Sequence, residues 1–95
     1  MGANAQAFRI QRLTLGAGVF TPIRPPAVFA SVSVGNGTAD DLQVHTNEDQ
    51  TEFLNIAPDF ERAVPVNTLG AFAFPEIAFW LKSPVGGTVV LVWTT

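Results

Sequence analysis

Ala27-Val28-Phe29-Ala30-Ser31-Val32-Ser33-Val34 is the stretch on which the fold turns. Val28, Ala30, Val32 and Val34 share one parity; Phe29, Ser31 and Ser33 share the other. Successive side chains on a strand point to opposite faces. A strict period of two, with β-branched residues on one side, therefore predicts a strand with one buried face. Gly35-Asn36-Gly37 follows, and these residues tolerate positive φ, so the strand is expected to end there.

Toward the C-terminus the same pattern recurs. Leu42, Val44 and Thr46 alternate with Gln43 and His45, and Leu54 and Ile56 share a parity opposed to Phe53. The polar Asn47-Glu48-Asp49-Gln50 between them predicts a hairpin. Pro58-Asp59-Phe60-Glu61 predicts a loop or one helical turn. Arg62 to Val66 predicts an edge strand, because Pro65 has no N–H to give a central ladder. Ala71 to Phe74 carries a short strand signal. Glu76 to Ser83 sets Ile77, Phe79 and Leu81 against Ala78, Trp80 and Lys82. Val89 to Trp93 is apolar at every position, which calls for cover on both faces. These last two strands are expected to form a hairpin closed by Gly86-Gly87.

Toward the N-terminus, Phe8 and Ile10 take one parity and Leu13 and Leu15 the other. A parity change within a strand predicts a bulge near Gln11-Arg12. Val19 to Ile23 reads as a short extended piece interrupted by Pro22, and Pro25-Pro26 excludes helix and central strand. The small, weakly polar residues 1–7 predict a flexible arm ahead of a single domain over residues 8–95. No stretch combines helical periodicity with caps. With about seven or eight short antiparallel strands and frequent turn signals, the fold class is all-β, a small β-sandwich of jelly-roll type. The expected core is Val28, Ala30, Val32, Val34, Leu42, Val44, Leu54, Ile56, Ile77, Phe79, Leu81, Val89, Leu91 and Trp93.

Charge narrows the function classes. Charged residues make up 14% of the 95-residue chain and the net charge is −3; an ordinary domain is about 25% charged. Arg9, Arg12, Arg24, Arg62 and Lys82 are scattered, and phosphate recognition needs clustered cations, so neither nucleic acid nor an anionic membrane is an expected partner. Cysteine is absent, which excludes disulfides, thiolate catalysis and Cys-based zinc sites and fits assembly in a reducing cytoplasm. Met1 to Ala7 lacks the basic and apolar regions of a signal peptide. The run Val89 to Trp93 is far shorter than a membrane helix.

No catalytic constellation, cofactor motif or metal site is expected. His45 is the single histidine, with no G-x-S-x-G nucleophile context, and it reads as an exposed sheet-face residue. Asp40-Asp41 and Glu48-Asp49 fall in turns without the spacing of a calcium loop, and they read as solvated turn residues. Nothing pairs two carboxylates for glycoside hydrolysis. Trp80 and Trp93, with Phe29 and Phe53 taken as exposed, leave glycan stacking open, although tryptophans on strands are more often core or interface residues.

Several strings carry a resemblance: Val32-Ser33-Val34-Gly35-Asn36, Ile56-Ala57-Pro58-Asp59-Phe60-Glu61-Arg62, Phe72-Ala73-Phe74-Pro75, Ala78-Phe79-Trp80-Leu81-Lys82-Ser83, and Gly86-Gly87-Thr88-Val89-Val90-Leu91-Val92-Trp93. Over roughly residues 28–93 the chain resembles small virion structural proteins of tailed bacteriophages, in texture and strand order rather than by a signature motif. The resemblance implies a non-enzymatic capsid decoration or cement protein on the virion surface. Such a protein is assembled in the host cytoplasm, forms a homo-oligomer, commonly a trimer, and binds the major capsid protein or another virion protein. It supplies no catalytic residues. A head–tail or tail accessory protein and a glycan-binding or host-surface module are the alternatives. The expected interface is Phe8 and Ile10 together with Ala78, Trp80, Val90 and Val92, the non-core side of the last two strands.

Overall fold

The computed structural model describes residues 8–27, 29, 31–45, 53–64 and 76–94. Eight strands lie within them: β1 (Phe8–Leu15), β2 (Thr21–Ile23), β3 (Ser31–Thr38), β4 (Leu42–His45), β5 (Phe53–Ile56), β6 (Glu61–Val64), β7 (Phe79–Lys82) and β8 (Gly87–Thr94). They form two four-stranded antiparallel sheets, ordered β1-β8-β3-β6 and β2-β7-β4-β5. The arm and the strand signal at Ala71 to Phe74 fall outside the described residues.

The order follows from one folding of the chain upon itself. β1 pairs with β8, β2 with β7, β3 with β6 and β4 with β5, like a single long hairpin whose tip is the β4–β5 pair. That ribbon curls until β3 also meets β8 and β4 also meets β7. The result is a jelly roll, two facing sheets with the core between them. Pro22 sits in β2, an edge strand, where its missing N–H is harmless.

The inner faces supply the core. Val32, Val34, Val89, Leu91 and Trp93 come from the first sheet, and Ile23, Leu42, Val44, Ile56, Phe79 and Leu81 from the second; all are buried. Trp93 is the centre, with ring centroids 6.2 Å from Phe79 and 6.3 Å from Phe29. Leu54 packs against this cluster while partly buried, and Ile77 is half-buried. Val28 and Ala30 lie outside the described residues. Leu15, Phe29 and Val64 complete the core.

Three sequence expectations change. β1 has no bulge: its residues pair one to one with β8, from Phe8↔Thr94 to Leu15↔Gly87. The apolar residues truly change face along the strand. At its outer end the inward position is given to Gln11, whose Oε1 accepts a 2.7 Å hydrogen bond from the indole Nε1 of Trp93. A buried N–H needs that acceptor.

β3 does not stop at Gly35-Asn36-Gly37 but runs on to Thr38. Asn36 and Thr38 point inward and are buried, and Gly35 and Gly37 fall on the outer side. Gly37 is required by close approach, since a Cβ there would lie 2.6 Å from the Thr88 carbonyl oxygen.

β7 and β8 do not form a hairpin, for they lie in different sheets. Both edges of β8 are already taken, by β1 and β3, so the chain from β7 must cross between sheets. Ser83 holds that corner. Its Oγ accepts from the Gly86 N–H at 3.0 Å and its carbonyl accepts from the Gly18 N–H at 2.7 Å. Gly86 turns with φ of 75°, where a Cβ would meet the Leu15 carbonyl oxygen at 2.7 Å.

Candidate functional site

With the core accounted for, the outward faces of the two sheets are what the molecule offers. In antiparallel sheets, directly paired residues share a face, so the register of β1, β8, β3 and β6 lays out the first face in rows. One row reads Arg12, Val90, Gly35, Glu61; the next reads Ile10, Val92, Ser33, Ala63. Flanking them are Phe8, Thr94, Ser31 on one side and Thr14, Thr88, Gly37 on the other. Ser31 Oγ and Thr94 Oγ1 hydrogen-bond across the strands.

The rows are lopsided. On β1 and β8 stand Phe8 and Ile10, 49% and 51% exposed, with Val90 and Val92 half-buried beside them. On β3 and β6 stand serines, glycines and Ala63. Over Gly35 and Gly37 the surface dips into an open hollow of about 280 Å³, walled by Val90, Asp59, Phe60 and Glu61. The wall is fixed by backbone bonds. The Asn36 N–H donates to the Phe60 carbonyl and the Asp59 N–H to the Asn36 carbonyl, both at 2.9 Å. Asp59 takes φ of 69°, a left-handed conformation to which Asp adapts better than most side chains.

The second face is aromatic. His45, opposite both Phe53 and Trp80 in register, is buried between rings: Phe20 edge-on at 4.8 Å and Phe53 at 5.0 Å between centroids. Its Nε2–H donates to Gln43 Oε1 at 3.0 Å. The Lys82 ammonium lies 4.6 Å from the Phe20 centroid, a cation–π contact. Asn55 stands on the same face, its Nδ2 donating to Asp41 at 3.0 Å.

No protein-family model, curated protein or solved structure matches the chain. The faces must therefore be judged on their own chemistry. Among the described residues no three His, Asp or Glu side chains gather as metal ligands, and no helix is long and apolar enough to cross a membrane.

Of the six interface residues expected from sequence, Phe8, Ile10, Val90 and Val92 do gather, as one stripe on the first face. Ala78 and Trp80 do not join them. Trp80 belongs to the second face, and Ala78 packs against the core. The division follows from β7 and β8 lying in separate sheets. His45 is 2% exposed and Phe29 4%, so neither is the surface residue expected. Parity puts His45 on the outer side correctly, but rings cover it there. Phe29 precedes β3 and turns into the core against Trp93 instead of following the strand's outer parity. Arg12, Gly35 and Glu61 carry no local signal in the sequence, because only the register sets them in one row.

Proposed function

We propose that the chain is a non-enzymatic structural protein of a tailed-phage virion, a capsid decoration protein assembled in the host cytoplasm. It binds the lattice of the major capsid protein as an oligomer and uses no cofactor. The observation that carries this is the outward stripe of Phe8, Ile10, Val90 and Val92, which adds nothing to the domain's own core. Exposed apolar residues in one contiguous patch mark association surfaces. The jelly roll, an architecture used in capsid and lectin domains alike, is compatible with this role. The low charge of the chain suits a protein that spends its life against other subunits.

The test is co-sedimentation of labelled protein with expanded heads that lack it and, separately, with tails. Saturable binding to heads is expected. Binding to tails alone would transfer the reading to a tail accessory role, and binding to neither would overturn it.

One observation favours a second reading. Phe20, Phe53 and Trp80 share the second face with Gln43, Asn55 and Lys82, the mixture of rings and amides that stacks on and hydrogen-bonds sugars. Under that reading isolated protein binds a glycan array, and Trp80→Ala abolishes binding without unfolding the chain.

A further inference from the structure

The first face is asymmetric in shape and in charge, and the two asymmetries agree. Large side chains occupy the β1–β8 half and small ones the β3–β6 half. Arg12 closes one end of a row on one edge strand; Glu61 closes the other end of the same row on the opposite edge strand. Both are exposed. A surface that is large and positive on one side, small and negative on the other, fits itself after a half-turn.

We propose that this face binds the same face of a second copy of the chain, about a two-fold axis running along the strands between β8 and β3. The inference rests on the part of the preceding reading that makes this face an interface, and needs no particle. A two-fold interface must be self-complementary. Here the half-turn lays each row on its own reverse. Val90 falls over Gly35 of the second copy, into the hollow of about 280 Å³ that the missing side chain leaves. Val92 falls over Ser33 and Ile10 over Ala63. Arg12 comes opposite Glu61, and by symmetry this happens twice. A half-turn about an axis laid across the strands along that row would instead set large on large and like charge on like charge. The three-fold symmetry that the phage-protein resemblance implies leaves this match unused.

Size sets the strength. With strands ~4.8 Å apart and ~3.3 Å of rise per residue, the face covers about 400 Å² on each copy. The two copies together cover about 800 Å², below a standard stable interface of about 1,200–2,000 Å² in total. The pair should therefore form and dissociate in the micromolar range rather than being permanent.

Sedimentation velocity on the purified chain, from about 5 to about 500 micromolar, spans that regime. A monomer–dimer equilibrium is expected. Arg12→Glu and Glu61→Arg should each weaken the dimer by about tenfold, since each turns two attractions into two repulsions. Mixed one to one, the two variants should associate again, because a mixed pair sets opposite charges against each other at both contacts. Gly35→Ala, whose Cβ would meet nothing nearer than the Val90 carbonyl oxygen at 3.6 Å, should weaken the dimer by filling the socket. Thermal midpoints of all variants should match the parent, because the changed groups are exposed or unhindered. The proposal is overturned by a parent that stays monomeric throughout, by a trimer, by single variants that associate like the parent, or by a mixture no tighter than its components. Head binding by a chain that fails these tests would leave the virion reading standing, and a dimer that ignores heads would leave this one.

Discussion

Asn36 is a polar residue, 2% exposed, in the middle of a strand, and each of its hydrogen-bonding groups is answered. Its Nδ2 donates to the carbonyls of Asp40 and Ile56, both at 2.8 Å. Its Oδ1 accepts from the Thr38 N–H at 2.8 Å and lies 2.6 Å from the Thr38 hydroxyl. One amide thus ties β3 to the 39–41 corner and to the end of β5. Asn36→Ala strands several buried groups at once and should lower unfolding free energy by about 3 kcal/mol, measured by urea denaturation. The glycines on either side separate close approach from mere absence of a side chain. Gly37→Ala drives a Cβ to 2.6 Å from a backbone oxygen, while Gly35→Ala meets nothing nearer than 3.6 Å. The first should cost about 1–3 kcal/mol and the second less than about 0.5 kcal/mol in the same experiment.

At the scale of elements, β8 shows how an apolar run can serve two surfaces. Val89, Leu91 and Trp93 are buried, while Val90 and Val92 are half-buried on the other side. Truncation should read that alternation directly: Leu91→Ala should lose about 2–5 kcal/mol and Val92→Ala less than about 1 kcal/mol. Equal losses would show that β8 is covered alike on both faces within one copy. β1 carries the complementary lesson. Gln11 occupies an inward position because the Trp93 indole needs an acceptor, and Gln11→Ala should cost about 1 kcal/mol through that orphaned N–H.

For the whole molecule, the pairing Phe8↔Thr94 joins the two ends of the described chain. A jelly roll must close such long loops before its central strands have neighbours, and the entropy of closure comes before the reward. Refolding by stopped-flow fluorescence of Trp80 and Trp93 should accordingly take on the order of milliseconds to seconds. A microsecond phase carrying the full amplitude would contradict the topology.

Alternation along single strands is enough to identify the all-β class, most of the core and the β4–β5 hairpin. Those depend on the period of two, and that period is local. The pairing of strands distant in sequence is not legible in this way. Nothing local tells β8 to insert between β1 and β3 instead of turning back on β7, because both choices bury the same residues. The same limit applies to the outward stripe. Phe8, Ile10, Val90 and Val92 can be named from parity, but parity groups Trp80 with them as well, since it does not separate the two faces. The row from Arg12 to Glu61 exists only through register across four strands. Sequence by itself determined which side of β3, β4, β5, β7 and β8 faces inward, because that alternation is local; the tertiary structure alone decided which strands stand side by side, and so which outward residues form one surface.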